Sequence, residues 1–305
     1  MARTGSTLIG ALSNGQFVVM PFGASPHIGT YNRGGAFLQL YDRRGNGPGE
    51  LPGPLRLLAI GPGDTIGVVA GRRIVQFAPN LANAKSRTLD FAINEFLPLG
   101  GGMLVISSPI QGEKGLTHAI HIVDAGGEIA QSADTIAAGM KVGLLEGNRV
   151  LGAARDGGFW TIRVNSSRVE RYTFEGKLVR SFTITRRWFT PWDQNPGLSF
   201  QVKPVPKNSG IQELPGGRLV VTTLVADANW KPQAVSVVRP GFIPDGIVDT
   251  IIDIVDPIRG IVLATSRFDQ SIRLASGVPG YAYSAKEVPS GDIVIPVWRI
   301  DLAKN

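Results

Sequence analysis

Asp156-Gly157-Gly158-Phe159-Trp160-Thr161-Ile162 places a glycine-containing turn directly before a run of β-forming residues. The same kind of phrase returns along the chain at residues 13–19, 61–66, 101–106 and 215–221. A glycine turn followed by β-branched and aromatic residues is typical of a strand that leaves a tight turn. Its return every few tens of residues predicts an array of similar sheet units, and a radial array of this kind is a β-propeller.

The segment around the first of these phrases shows the unit most clearly. It predicts four strands separated by short turns, at residues 148–154, 159–164, 168–174 and 178–184. Four antiparallel strands joined by tight turns form one propeller blade. This segment therefore predicts one complete blade.

The rest of the chain divides on the same plan. Blades are predicted at about residues 6–43, 54–91, 93–134, 148–184 and 210–268, with a sixth beginning near Ser271. We predict an all-β, six-bladed propeller of four-stranded antiparallel blades that forms a single domain over residues 1–305. Seven blades are the alternative, if residues 147–151 open a unit of their own. The best helical candidate, around residues 132–140, is short and contains Gly139.

The sixth unit shows three strands before Asn305, whereas propellers commonly close by completing the last blade with a segment from the other terminus. Residues 1–6 are too few for that strand, because Ser6 already opens the first blade. We therefore expect the natural protein to extend further toward its N-terminus, with a signal peptide as one form of the extension.

Residues 44–54, Arg-Gly-Asn-Gly-Pro-Gly-Glu-Leu-Pro-Gly-Pro, resemble the inter-blade connector of NHL-repeat proteins, Gly-x-Gly-Pro-Gly-Glu-Phe followed by a proline. The matching positions are Gly45, Gly47, Pro48, Gly49, Glu50 and Pro54, while Leu51 replaces the phenylalanine. The chain as a whole resembles bacterial six-bladed propellers with divergent NHL-like repeats, many of them exported. The aspartate and asparagine that NHL repeats carry after the second strand are missing from residues 68–73. The resemblance implies a fold, a tendency to bind partners and an exported location, and it transfers no catalytic residue.

Composition excludes several classes of function. The chain has no cysteine, which excludes disulfides, thiolate metal sites and cysteine nucleophiles. The formal net charge is +7, but the basic residues are scattered and form no stripe or motif, so specific nucleic-acid binding is not predicted. A weak affinity for anionic polymers is the most that this charge supports. No apolar run reaches the length of a membrane span, and the sequence as given lacks a signal-peptide core.

No metal site, cofactor or catalytic residue is predicted. His118 and His121 lie three residues apart in a predicted strand, where their side chains point to opposite faces. His27 is expected in an exposed turn. The candidate acids lie mostly in turns, where they cap their own backbone; they are Asp64, Asp156, Glu213, Asp245 and Asp256.

The irregular stretch at residues 185–209 carries the most functional interest, because long loops inside compact arrays are usually functional or disordered. Tryptophan and arginine, the residue types most enriched in binding hot spots, are concentrated in it. A second excursion at residues 227–245 contains Trp230 and is expected to flank the same rim. The candidate binding residues are Arg186, Arg187, Trp188, Trp192, Asp193 and Trp230. The alternative interpretation is that the two tryptophans of the first stretch pack the loop onto neighbouring blades.

Three functions follow from these observations. The first is a non-enzymatic, monomeric binding or scaffold module whose rim contacts a protein, peptide or glycan. The second is a propeller hydrolase or lyase that uses a metal in the central channel, and the third is a weak binder of anionic polymers.

Overall fold

The computed structural model describes residues 7–21, 26–111, 117–136, 147–192, 201–232, 246–288, 290 and 293–301. Within these ranges the chain forms β-strands and two short 3₁₀ turns, with no α-helix. No helix among the described residues has the length and apolar character needed to cross a membrane. The described part of the best helical candidate, residues 132–136, belongs to a strand, in agreement with the all-β prediction.

Five blades are antiparallel sheets of four consecutive strands. Blade 1 consists of β1 (Thr7–Ala11), β2 (Phe17–Pro21), β3 (Ile28–Tyr31) and β4 (Phe37–Tyr41). Blade 2 consists of β5 (Leu57–Ile60), β6 (Ile66–Ala70), β7 (Arg73–Phe77) and β8 (Lys85–Thr88). Blade 3 consists of β9 (Glu95–Pro98), β10 (Leu104–Gln111), β11 (Thr117–Val123) and β12 (Ile129–Ile136). Blade 4 consists of β13 (Arg149–Ala153), β14 (Phe159–Arg163), β15 (Arg168–Tyr172) and β16 (Leu178–Thr183). Blade 5 consists of β17 (Lys207–Glu213), β18 (Leu219–Ala226), β19 (Val248–Asp256) and β20 (Ile261–Phe268).

Blade 6 has a different construction. Its sheet contains β21 (Arg273–Leu274), β23 (Tyr281–Tyr283) and β26 (Val297–Arg299). A separate hairpin of β24 (Lys286–Glu287) and β25 (Ile293–Val294) lies between the last two of these in sequence. The short strand β22 (Ser276–Gly277) pairs in parallel with β1 of blade 1, so blades 6 and 1 are joined directly.

The first strand of each blade is the innermost, and these strands contact one another in order around the ring, from β1 through β5, β9, β13 and β17 to β21. The pairing of β22 with β1 closes the ring after six blades. The prediction of six blades is therefore confirmed. The seven-blade alternative is wrong, because β13 is the first strand of blade 4 and does not open an extra unit.

The hydrophobic core is divided into one cluster at each contact between neighbouring blades. Adjacent residues of one strand supply different clusters: Val68 packs toward blade 1 and Val69 toward blade 3. The other contacts, in ring order from blades 3 and 4 to blades 6 and 1, have clusters of their own. Alternation of side chains across a pleated strand allows every blade to bury both faces. This explains why a second strand such as β6 is buried at every position.

The connector that resembles the NHL motif is held by specific contacts. Glu50 Oε2 accepts a hydrogen bond of 2.7 Å from the Gly47 amide, and the Tyr41 hydroxyl donates to the Gly49 carbonyl at 2.5 Å. Gly49 has a φ of +74°, and a Cβ there would lie 2.7 Å from the Cβ of Ala84. The positive φ and the close approach both require glycine. The motif is therefore explained by the geometry between blades 1 and 2.

Candidate binding face

One face of the ring carries the long connections. In an antiparallel meander, the connections between second and third strands and those between successive blades emerge on the same face. The stretch between β16 and β17 and the stretch between β18 and β19 belong to this set. We call this side the loop-bearing face. The two segments singled out in the sequence thus leave neighbouring blades, 4 and 5, on one side of the molecule.

Arg186 lies inside this face and not on its surface. It is 7% exposed, and its Nε forms an ion pair of 2.8 Å with Oδ2 of Asp253, a residue of β19 that is itself buried. Its Nη1 donates to Asn208 Oδ1 at 2.8 Å. Burial lowers the pKa of Arg186 to about 10, against the opposing charge of Asp253, so the side chain remains cationic at neutral pH. These contacts tie the connection between blades 4 and 5 to blade 5.

Trp192, like Arg186, is held in place by hydrogen bonds and by packing against neighbouring blades. Its Nε1 donates to the Pro206 carbonyl at 2.7 Å, and Asn165 Nδ2 donates to the Trp192 carbonyl at 2.7 Å. The ring packs against the apolar cluster shared by blades 4 and 5. For this tryptophan, the observed contacts match the packing interpretation.

Two residues of the same stretch face outward. Trp188 is 36% exposed, with the guanidinium of Arg186 5.6 Å from its ring centroid, and Arg187 is exposed. Trp230, on the second connection, is partly buried, and its backbone amide donates to the Asp227 carbonyl at 3.1 Å. Asp193 lies outside the described residues. The structure thus places Arg187, Trp188 and Trp230 on or near the surface of the loop-bearing face.

A second group of residues meets at the centre of this face. Glu95, Lys207 and Arg273 are the first residues of β9, β17 and β21, which are the innermost strands of blades 3, 5 and 6. Each is half-buried, and the charges of Lys207 and Arg273 both act on Glu95. The innermost strands of a propeller surround its central channel, so these residues of blades 3, 5 and 6 are placed to interact across it. We call Glu95, Lys207 and Arg273, with Tyr283, the channel mouth.

The low-dielectric surroundings of the channel mouth shift the pKa values of its residues. Burial raises the pKa of Glu95 to about 7, although Arg273 and Lys207 oppose this. Burial and the neighbouring Arg273 lower the pKa of Lys207, while Glu95 acts against them. The hydroxyl of Tyr283 accepts hydrogen bonds from the Arg273 side chain and from the Ile9 amide, and burial raises its pKa.

The chemistry of the channel mouth suits an anion. Two cationic side chains face one carboxyl group among the described residues of this site, so its net charge is positive even when Glu95 is ionised. Divalent metal ions such as Mg²⁺ or Ca²⁺ require several oxygen ligands, and this set does not fit them. A carboxylate or phosphate group entering from the loop-bearing face would meet both cations.

This group of residues was not predicted from the sequence. A usable signal exists, because each of the three charged residues stands at the first position of an innermost strand. Strand starts on different blades become neighbours only through ring closure, which spacing along the chain does not reveal.

The histidines and most candidate acids have local partners. His121 Nδ1 lies 2.8 Å from Ser132 Oγ, and its Nε2 lies 3.0 Å from the Ser108 carbonyl oxygen. His118 Nδ1 lies 3.3 Å from Thr135 Oγ1. Burial lowers the pKa of His121, which keeps that imidazole neutral. His27 is half-buried.

The candidate acids are mainly turn and inter-blade anchors. Asp256 Oδ1 caps its own turn by accepting from the Ile258 amide at 2.8 Å. Asp64 accepts from the Ser13 hydroxyl at 2.6 Å, which links blades 1 and 2, and Glu213 accepts from the Trp160 indole at 2.8 Å, which links blades 4 and 5. Asp156 pairs with Arg171, and Asp245 lies outside the described residues.

A cavity of about 520 Å³ lies between blades 5 and 6. Its lining is mostly apolar and includes Ile252 and Ile254 of β19, together with Phe268 of β20 and Trp298 of β26. Phe268 is 37% and Trp298 39% exposed. This volume is within the range of small-molecule pockets, and the lining would accommodate an apolar group.

The closed ring, with its long connections and a charged channel mouth on one face, defines a six-bladed β-propeller. No protein-family model matches the sequence. No curated protein matches it.

Solved structures resemble the chain in fold. A member of the DUF4221 family from Bacteroides vulgatus is 11% identical, with 97% of this chain and 93% of that chain covered and a TM-score of 0.61. A Bacteroides fragilis protein named as a candidate exported protein is 15% identical, with 93% and 79% covered and a TM-score of 0.58. YCF48 bound to D1 peptide is 11% identical, with 93% and 76% covered and a TM-score of 0.50. At these identities the similarity concerns the fold alone.

Proposed function

We propose that this chain is a non-enzymatic binding propeller whose loop-bearing face contacts a protein or peptide, with an acidic group of the partner held at the channel mouth. The observation that carries the proposal is that the charges of Lys207 and Arg273 act on Glu95, the one carboxyl group that the described residues place at this site, on the face that bears the two long connections. Arg187, Trp188 and Trp230 would surround this anchor at the rim. A structure with the same fold, YCF48, is a complex with a peptide, which supports the choice of partner.

The physical basis is a charge-assisted contact at the end of a partly enclosed channel. Hydrogen bonds between a cation and a carboxylate are stronger than neutral ones, and burial strengthens them further. The exposed indole of Trp188 adds a large rigid contact surface nearby, as in many binding hot spots. Together these groups would give a centre of high affinity within a larger rim.

A peptide-display library enriched in aspartate and glutamate tests the proposal, with affinities of selected peptides measured by fluorescence anisotropy. Lys207→Ala is expected to weaken binding at least about tenfold, which corresponds to the loss of one charged hydrogen bond. Lys177→Ala is the matched control, because this exposed lysine lies in a turn on the opposite face. Replacing the acidic residues of the peptide by their amides should have the same effect as Lys207→Ala. Equal affinities for both lysine variants, or for acid and amide peptides, would refute the anchor.

The second candidate is a hydrolase or lyase, and the observation that favours it is Glu95. A carboxyl group whose pKa burial raises to about 7 is suited to proton transfer at neutral pH. A metal-dependent version would need a ligand set other than the described channel mouth. Loss of a turnover activity in Glu95→Gln, with folding unchanged, would support the enzyme over the binding module.

Further proposals concern the oligomeric state, the domain organisation and the cellular location of the protein. We infer a single domain over residues 1–305, because each blade shares an apolar cluster with the next, and we propose that the protein is a monomer. One cooperative unfolding transition and the mass in solution by light scattering test these. We also propose an exported location, which cell fractionation tests. Retention on heparin that falls steeply with salt would instead favour the third candidate, a binder of anionic polymers.

A further inference from the structure

Three aspartates meet at the loop-bearing end of blade 5, away from the central channel. Asp227 follows β18 directly, Asp249 is the second residue of β19, and Asp269 follows β20 directly. One carboxylate oxygen from each lies within 4.8 Å of the other two. Three successive strands of one sheet therefore deliver three carboxylates to one place.

Asp249 is the informative member of this group. Its side chain is almost fully buried, and its carboxylate is directed into the cluster. Oδ2 accepts from Arg267 Nε at 2.5 Å and from the Ala228 amide at 3.2 Å. Oδ1 is buried and has no hydrogen-bond partner in the described part of the chain. A buried carboxylate oxygen without a partner is unfavourable, which indicates that the site receives a further ligand.

The charges of the cluster also require compensation. Three carboxylates contribute −3 and Arg267 contributes +1, so the group carries a formal charge of −2. The guanidinium of Arg267 donates to Asp249, and its Nη2 also donates to the Ala226 carbonyl oxygen at 2.8 Å. A divalent cation would neutralise the remaining charge of −2.

We propose that Asp227, Asp249 and Asp269 bind a divalent cation, and that the cation is calcium. Calcium takes oxygen ligands at about 2.3–2.6 Å, so two of its ligands are at most about 5 Å apart, which agrees with the observed limit of 4.8 Å. The donors are all oxygen, which disfavours softer metals, and calcium tolerates irregular geometry that magnesium does not. Asp269 is exposed and provides access from solvent.

The position of the site gives it a structural consequence. Asp227 and Asp249 stand at the two ends of the connection between β18 and β19, and Asp269 begins the connection to blade 6. A bound cation would fasten these connections to one another. Trp230, whose amide donates to the Asp227 carbonyl, stands beside the site.

Calcium titration of chelator-treated protein tests the proposal, by calorimetry and by thermal unfolding. We expect one calcium ion per chain, a dissociation constant at or below about 1 mM and a melting temperature that rises with calcium concentration. Terbium should replace calcium and show luminescence sensitised by Trp230, and Trp230→Phe should abolish most of this signal while calcium binding persists.

Two variants locate the site. Asp269→Asn alters an exposed side chain, so the protein should fold, and calcium affinity should fall at least about tenfold. Asp256→Asn is the matched control, because this aspartate caps its own turn on the opposite face and asparagine can form the same cap. The proposal is overturned if the parent protein binds no calcium at millimolar concentration, or if Asp269→Asn and Asp256→Asn bind it equally well.

Discussion

Replacing Arg186 by methionine should destabilise the protein strongly. Arg186 and Asp253 have side chains that are each 1% exposed and lie 2.8 Å apart. Without the guanidinium, Asp253 retains a hydrogen bond of 2.7 Å from Thr265 but remains a buried charge without a cation. Asn208 loses less, because Thr223 still donates to its Oδ1 at 2.8 Å. The cost should therefore come mainly from Asp253, at about 3–5 kcal/mol for breaking one partner of a buried pair.

The size of this effect can be followed by urea and thermal unfolding. Unfolding entropy near 60 °C is about 2.1 cal/mol/K per residue, so a loss of about 4 kcal/mol in a 305-residue chain lowers the melting temperature by about 6 °C. Arg187→Met is the matched control, since its side chain is exposed and the expected change is within about 0.5 kcal/mol. The double variant Arg186→Met/Asp253→Leu should recover much of the loss, because it removes both charges.

A free energy of unfolding for Arg186→Met within about 0.5 kcal/mol of the parent would refute this reasoning. The same pair of variants separates stability from binding. Under the proposed function, Arg187→Met should lower the affinity for the partner and leave the free energy of unfolding unchanged. Arg186→Met should lower the free energy of unfolding, and its effect on affinity should be small.

The remaining predictions concern the connector, the core and the channel mouth. Gly49→Ala should cost about 1–3 kcal/mol, because φ is +74° and the new Cβ would lie 2.7 Å from Ala84, while Gly100→Ala, which meets nothing within 4 Å, should be nearly neutral by urea unfolding. Glu50→Ala should cost about 1 kcal/mol through loss of the 2.7 Å bond to Gly47, and Glu50→Gln should recover part of it. Phe96→Ala, at a position 2% exposed, should cost about 3–5 kcal/mol, and an unchanged denaturation midpoint would contradict the assignment of this ring to the contact between blades 2 and 3. Burial raises the pKa of Glu95 from 4.5 to about 7, so the folded protein holds a proton that the unfolded chain has lost, and stability should fall as pH rises from about 4.5 to about 7 and then level off. A pH profile of unfolding for Glu95→Gln that keeps the same decline would show that another group causes it.

Sequence periodicity located the blades closely, because local chemistry determines hairpins. The predicted strands of blade 4 differ from the observed ones by no more than two residues at any end. Glycine at positive φ, as at Gly157 with 96°, and alternating β-branched residues are local signals that need no knowledge of the ring. The weak helical periodicity around residues 132–140 did not outweigh the strand signals, since the described residues Ser132–Ile136 pair with β11.

The candidate site was less accessible from sequence. Tryptophan and arginine in a long connection indicated a rim, but their environments differ: Trp188 faces solvent, whereas Arg186 is buried against Asp253, sixty-seven positions later in the chain. The three aspartates of blade 5 are more than nineteen residues apart from one another in sequence, and the register of β18, β19 and β20 brings them together.

The amino-acid sequence by itself determined the strands, the turns and the number of blades, because each of these depends on neighbours within a few dozen residues. The packing of the blades into a ring decided the rest. It brought the starts of β9, β17 and β21 around one channel, where the charges of Lys207 and Arg273 act on Glu95, and enclosed Arg186 between blades 4 and 5. Charge interactions and burial depend on distance in space, and those distances exist only once the blades have packed against one another in the ring.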